Sequence, residues 1–305
     1  MTNAVTHEWP PEPDVARTVA PAIVHLLAPN ASSWTYDGTN SYVIAHGGAS
    51  LLIDPGILDE DHLEALGASG RADGRRVAAV VLTHDHPDHS DGARELADSL
   101  DVPILCMSPR FADEYLTEGQ VLDVDGLDVH VIHTPGHSDD SVCLWIPASG
   151  ALLTGDTILG ARSSGVMGKL GDLLSSLERL RDFAADRELV ALPGHGPAFT
   201  DLAESATRVI DVRTRRINEV RSHIADGSTS LLALSSRLYP DLTGSRAIFG
   251  ASTVISTVEY LAGLDHDRGI ADAVQREQIL ADIEKYQQMM MAHAKERSAA
   301  SKSAH

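Results

Sequence analysis

The residues Thr83-His84-Asp85-His86-Pro87-Asp88-His89-Ser90-Asp91-Gly92 constrain this chain more than any other stretch. Four groups able to bind a metal, His84, His86, Asp88 and His89, fall within six residues, directly after the apolar run Val77-Ala78-Ala79-Val80-Val81-Leu82. That run has the length of one buried strand. A strand that stops at a polar cluster leaves its last side chains at the sheet edge, where His84 and His86, two apart, point to the same side. Pro87 suits the first turn of a helix, and the carboxylates of Asp88 and Asp91 lie near its positive end. Imidazole and carboxylate are the donors that suit zinc and similar divalent ions. Asp88 and His89 are consecutive on the predicted helix and diverge by about 100°, which directs them to a second ion. Two ions a few ångströms apart activate a shared water and clamp a substrate oxygen. A solvated loop is the competing reading, and three histidines with an aspartate at this spacing argue against it.

Further donors stand at the ends of later apolar runs. His137 follows Val129 to Ile132 in His133-Thr134-Pro135-Gly136-His137, Asp156 ends Leu152-Leu153-Thr154-Gly155-Asp156-Thr157, and His195 follows Leu189-Val190-Ala191 in Leu192-Pro193-Gly194-His195-Gly196. Together with Leu51-Leu52-Ile53-Asp54-Pro55-Gly56, these motifs resemble, in order, those of the metallo-β-lactamase fold superfamily of metallohydrolases, over about residues 22–200. The resemblance implies that His84, His86 and His137 hold one ion and Asp88, His89 and His195 another. Asp156 would bridge the two, and Asp54 would orient a ligand from behind. It implies two divalent ions, zinc foremost, with iron and manganese also accepted by such a donor set. Asp88 would be the catalytic residue, positioning the nucleophile and passing its proton to the leaving group. Thr83 and Thr157 flank ligands and read as hydrogen-bond donors to them rather than as nucleophiles.

The chain of 305 residues has room for one substantial core and a smaller second domain. The expected class is α+β, a four-layer αββα sandwich with a small C-terminal helical domain. The boundaries read as an irregular lead-in over 1–21, a catalytic domain over 22–225 and a helical, winged-helix-like domain over 226–305. Predicted strands lie at 23–27, 41–45, 50–53, 77–82, 102–107, 127–132, 141–146, 151–154 and 188–192. Predicted helices lie at 59–66, 88–100 and 169–184, then at 201–225, 228–238, 251–264 and 270–294. Past residue 265 a further helix is expected where the related appendage has wing strands. That appendage reads as a lid or a homodimer element; a DNA-reading helix would be richer in Lys and Arg.

The net charge of −20 speaks against a nucleic-acid or membrane partner and for a small-molecule substrate. Residues 228–305 hold eight Lys/Arg and nine Asp/Glu, so the acidity belongs to the part that carries the motifs. The N-terminus lacks the cationic start and apolar core of a signal peptide, and no run is long enough to cross a membrane, which predicts a cytoplasmic protein. Cys106 and Cys143 sit in apolar runs and read as buried free thiols. The Gly-rich run 160–171 beside Asp156 places Arg162, Ser163, Ser164 and Lys169 where they could meet an anionic group, or is an ordinary loop. Tyr36, Asn40 and Tyr42 are weak cleft candidates. The expected activity is hydrolysis of a small ester, thioester or lactone by a hydroxide shared between the ions. The alternatives are an endoribonuclease or phosphodiesterase of the same fold, and a metal-stabilised interaction protein.

Overall fold

The computed structural model describes residues 9–160, 164–228, 230–241, 245–265 and 269–302. Two compact units divide the chain: 1–164 with 171–210, and 165–170 with 211–305. In the first, β1 (Arg17–Ala20), β2 (Ile23–Leu27), β3 (Asn40–His46) and β4 (Ala49–Ile53) pair antiparallel in sequence order. Helix α1 (Glu60–Gly70) crosses to β5 (Arg76–Val81), parallel to β4, and the short helices α2 (Pro87–Ser90) and α3 (Ala93–Leu100) lead to β6 (Ile104–Cys106). The two-residue β7 (Glu114–Tyr115) closes this seven-stranded sheet. The second sheet runs β12-β11-β10-β9-β8, from β8 (Val121–Val124), β9 (Leu127–His133), β10 (Val142–Ile146) and β11 (Ala151–Gly155) to β12 (Val190–Pro193), with α4 (Leu170–Ala184) ahead of β12.

Period-two alternation assigns the faces. Ile44, Leu51, Ile53 and Val81 of the first sheet pack with Val129, Val131, Leu144 and Leu153 of the second. Their neighbours Val43, Leu52, Val80 and Leu82 turn the other way, against Leu63 and Leu66 of α1 and Leu96 of α3. On the far side α4 buries Leu173, Leu177 and Leu180 at helical spacing, and Phe183 meets Trp145 edge-on at 5.3 Å. The layers are therefore α, β, β, α. Burying one Leu or Ile is worth about 1.5–3 kcal/mol, whereas an exposed pair such as Arg179–Glu118 adds about 0–1. The layer between the sheets thus fixes the strand ends. The C-terminal ends of β4 and β5 deliver Asp54 and His84, and those of β9, β11 and β12 deliver His137, Asp156 and His195.

Three expectations change. The helix foreseen over 88–100 is two helices, because the Gly92 amide leaves the helical ladder and donates to the Gly56 carbonyl at 3.0 Å, a close approach that leaves no room for a Cβ, which would lie 2.7 Å from the Ile57 carbonyl oxygen. The lead-in is not wholly irregular: Arg17–Ala20 pairs with β2 across a turn in which Ala22 has φ 61°, and Ala20 joins the core. Strands β7 and β8 were not expected; both are short, β7 exposed throughout and β8 exposed on one face.

Helix α5 (Leu202–Ala225) carries the chain into the second unit. There α6 (Leu231–Leu238), α7 (Ser245–Gly263) and α8 (Ala273–Lys302) bury Leu231 and Leu234, Val254, Val258 and Leu261, and Ile279 and Ile283. The Leu231 amide donates to Asp282 at 2.8 Å, tying α6 to α8. Among the described residues this unit contains no strand. No helix among the described residues is long and apolar enough to cross a membrane.

Candidate metal centre

The three histidines after β5 and β9 meet ring to ring. His84 Nε2 and His86 Nδ1 are 3.1 Å apart, and His137 Nε2 lies 3.2 Å from the first and 2.9 Å from the second. Tetrahedral zinc with Zn–N near 2.0–2.1 Å asks for nitrogens about 3.3 Å apart. Burial, with the neighbouring His89 and His137, holds the His84 imidazole well below its ordinary pKa; burial and His89 lower His86. Thr83 Oγ1 gives its proton to Asp54 Oδ2, so the His84 Nδ1–H donates to Thr83 and leaves Nε2 as the bare donor atom. The His84 and His86 imidazoles are neutral, and the inner nitrogens of all three rings face a common point.

Asp88, His89 and His195 form a second group. Asp88 Oδ2 is 3.1 Å from His195 Nε2, which is 3.3 Å from His89 Nε2. Asp54 Oδ2 takes the His89 Nδ1 proton at 2.9 Å, and the Gly38 carbonyl takes that of His195 at 3.0 Å. Both Nε2 atoms are thereby turned inward. Burial works against charge on His195, yet Asp156 and Asp88 outweigh it and raise the ring to about 11. His89 is raised in the same way by Asp54 and Asp156. Burial opposes ionisation of Asp88, but the bond from His195 and the charge of His89 bring it down to about 2.

Asp156 lies between the groups. Its Oδ1 is 3.5 Å from His89 Nε2, and its Oδ2 is 3.7 Å from His137 Nε2 and 3.4 Å from His195 Nε2. Oδ1 is buried and has no hydrogen-bond partner. Gly194 backs onto it so closely that a Cβ there would fall 2.4 Å from Asp156 Oδ1 and 2.7 Å from His89 Cε1. Buried imidazole nitrogens around an orphaned carboxylate oxygen are a donor set that fits divalent ions.

All seven predicted ligands come together here. Of the supporting residues, Thr83 bonds Asp54 through both its amide (2.7 Å) and its hydroxyl (2.6 Å), whereas Thr157 Oγ1 pairs with Thr134 Oγ1 at 2.8 Å. Ser164 is buried and Lys169 exposed; Arg162 and Ser163 lie outside the described residues. Tyr36 sets its ring 6.3 Å from that of His195. Asn40 and Tyr42 have another role: Asn40 Nδ2 donates to the carbonyls of Pro193 and Gly196, and the Tyr42 hydroxyl to that of Pro193, fixing the turn that carries His195. Sequence reasoning missed Ser41 and His62, which back Asp54. Their signal is a polar residue within an apolar strand and a histidine on the inward face of α1.

The model of the metallo-beta-lactamase superfamily matches residues 34–113 and 107–195. A lactamase-like protein of Pestalotiopsis microspora is 30% identical over 268 residues, 87% of this chain and 78% of the relative. An atrochrysone carboxyl ACP thioesterase of Passalora fulva is 32% identical over 79% of this chain and 71% of its own length. Among solved structures, a beta-lactamase domain protein from Burkholderia ambifaria shares the fold with TM-score 0.71 at 21% identity, covering 83% of this chain and 90% of that one. A metallo-beta-lactamase family protein from Thermus thermophilus follows with TM-score 0.65 at 23% identity, covering 79% and 93%. With its sandwich, its histidine and aspartate clusters and these matches in agreement, the chain belongs to the metallo-beta-lactamase superfamily.

Proposed function

We propose that this protein is a metal-dependent hydrolase of small esters or thioesters. In this reading His84, His86 and His137 hold one divalent ion, Asp88, His89 and His195 a second, and Asp156 is shared. The observation that carries it is the buried Oδ1 of Asp156, without a hydrogen bond, between two sets of converging imidazole nitrogens. An unsatisfied buried polar atom costs about 1–3 kcal/mol, more when charged. A cation there relieves that cost. Zinc suits the mixed nitrogen and oxygen donors, as do iron and manganese.

When bound, such a pair of ions supplies an acidified water and positive charge for an accepting oxygen. The chain's own groups supply the rest. Asp54, the Gly38 carbonyl and Thr83 each hold a ring proton on the outer nitrogen of His89, His195 and His84, so the inner nitrogens stay available. The Asp88 side chain is 28% exposed where its histidine neighbours are closed off. It is the carboxylate that reaches the substrate space, ionised at neutral pH, able to take a proton at Oδ1, the oxygen not turned to His195, and return it to the leaving group. Cys106 and Cys143 are no competitors as nucleophiles: both are buried, with burial pushing each thiol up to about 11.

A thioester is favoured by the relatives named thioesterases, and the net charge of −20 opposes a polyanionic substrate. The deciding experiment offers thioesters, esters, lactones, phosphodiesters and short RNA to the zinc-loaded protein. Turnover of an ester or thioester that ceases on chelation and returns with zinc is the expected result. Cleavage of RNA or phosphodiesters alone would overturn it.

A further inference from the structure

We infer that the N-terminal stretch Trp9 to Asp14 is a strap that positions His89 and His195 of the second cluster through two separate hydrogen-bonded chains. The inference rests on the two-ion reading above.

The first chain starts at Asp14, whose backbone is fixed by its amide bond to the Leu27 carbonyl at 3.1 Å. Its Oδ1 lies 2.6 Å from Nδ1 of His62, a ring that α1 buries completely. His62 Nε2 is 2.9 Å from Ser41 Oγ, and Ser41, also fully buried, donates to the Asp54 carbonyl at 2.6 Å. A serine hydroxyl has one proton. With that proton committed to Asp54, His62 Nε2–H is the donor to Ser41, and Nδ1–H is the donor to the acceptor-only Asp14 carboxylate. The chain ends on a residue that needs holding: Asp54 has φ 48°, a conformation side-chain-bearing residues rarely adopt. Its carboxylate is the group that takes the His89 Nδ1 proton.

The second chain starts at Trp9, whose indole N–H donates to Asp37 Oδ2 at 2.9 Å. The next residue, Gly38, presents the carbonyl that receives the His195 Nδ1 proton. Gly38 has φ 139°, and a Cβ there would fall 2.3 Å from the Ala28 carbonyl oxygen. That backbone is packed without slack, so a pull on Asp37 is felt at the carbonyl. Both chains end directly on the second cluster; Asp54 touches the first only one group further back, through Thr83 and the His84 Nδ1 proton, while the rings of His86 and His137 find each other and His84. A segment that sequence reasoning treats as a lead-in is thus part of the support of one ion site.

The test is zinc binding by competition with a chromogenic chelator, on the full chain carrying Asp14→Ala, Ser41→Ala or Trp9→Phe. Supporting groups behind a ligand are typically worth about 10–100-fold in metal affinity. Ser41, one bond behind Asp54, should give about tenfold weakening of the second ion in Ser41→Ala, and the more remote Asp14→Ala and Trp9→Phe about threefold. The first ion should weaken less than the second in Asp14→Ala and Ser41→Ala, where Thr83 links Asp54 to His84, and not at all in Trp9→Phe, and the melting temperature of the metal-free protein should barely move. Asp14→Asn keeps an acceptor oxygen in place and should recover most of the affinity. In the cobalt-loaded protein, the shifted ring N–H resonance of His89 should respond to Asp14→Ala and Ser41→Ala, and that of His195 to Trp9→Phe. Because the chains end on different ligands, the losses in the double variant should add. Equal weakening of both ions, or a second ion unmoved in every variant while the unaltered chain binds two, overturns the strap. Uptake of fewer than two ions by the unaltered chain sinks the two-ion reading, and the strap with it.

Discussion

The two clusters of the centre are built from nearly the same residue types yet sit in opposite protonation states. In the His84, His86 and His137 group, burial and the nearby His89 hold His84 and His86 neutral, with the three inner nitrogens 2.9–3.2 Å apart. In the Asp88, His89 and His195 group, neighbouring carboxylates outweigh the same burial, and the imidazoles hold protons. The difference teaches that carboxylate count, not burial, sets the state of a histidine here. An ion enters the first group without displacing anything, whereas an ion entering the second must expel protons.

The largest effect should come from the residue the two clusters share. Asp156→Ala removes the only carboxylate facing both sets of nitrogens among the described residues, so the ions should be lost and turnover should fall by at least ~10³-fold. Metal analysis and kcat/KM on the best substrate of the panel check it. Near-normal hydrolysis by Asp156→Ala would dissolve the comparison, since the clusters would then work independently.

Asp88→Ala should separate them. Removing the carboxylate of one cluster weakens its ion by about 100-fold, and the protein should retain one ion per chain, held by the three-histidine group. Loss of both ions together would show that the groups are not separate binding sites. The fold should survive, because Asp88 is partly exposed and outside the core.

Protons offer a subtler means of separation. With His195 raised to about 11 in the metal-free protein and His89 raised as well, binding at the second cluster releases at least one proton, so its apparent affinity should rise at least tenfold per pH unit between pH 7 and 9. The first cluster, with His84 and His86 already neutral, should be nearly flat over that range. The metal-free fold should show the matching linkage. A histidine raised on folding contributes stability that is full below its unfolded value and fades as pH climbs through about 11; Asp88, lowered to about 2, contributes stability that is lost as pH falls through its ordinary range towards 2. Metal titrations at three pH values decide it, and equal pH slopes at both clusters would count against the contrast.

Most of the first cluster's construction can be read from the sequence, and less of the second's. His84, His86, Asp88 and His89 fall within six residues, and each later ligand stands at the end of an apolar strand, so period-two patterning and donor chemistry suffice to assemble the list. What holds the second cluster is tertiary: Asn40 reaches carbonyls more than 150 residues away, and the Gly38 carbonyl reaches His195 across a similar span. Backbone carbonyls carry no residue-type signal, and a buried His62 looks like any other helix histidine until its partners are known. The fold shows the same division. The long apolar strands were legible, while Glu114–Tyr115 is too short to register and Val121–Val124 is interrupted by Asp123, which caps its own turn by accepting from the Gly126 amide.

The smallest predicted effect tests how the second cluster is braced. Tyr42 is buried between the sheets, and its hydroxyl donates to the Pro193 carbonyl at 2.8 Å, the same oxygen that Asn40 Nδ2 reaches at 2.9 Å. Tyr42→Phe removes one of two donors to that oxygen and leaves the ring packing intact, so the cost should be about 0.5–1.5 kcal/mol of stability. Asn40→Ala should cost more, because it frees the carbonyls of both Pro193 and Gly196 and removes a partner of the buried His25 ring. Both variants should weaken the second ion by a few-fold and leave the first untouched, as read by differential melting with and without zinc. If Tyr42→Phe loosens the two ions alike, the Pro193 turn braces the whole centre, and the division between the clusters belongs to their protons and not to their scaffolds.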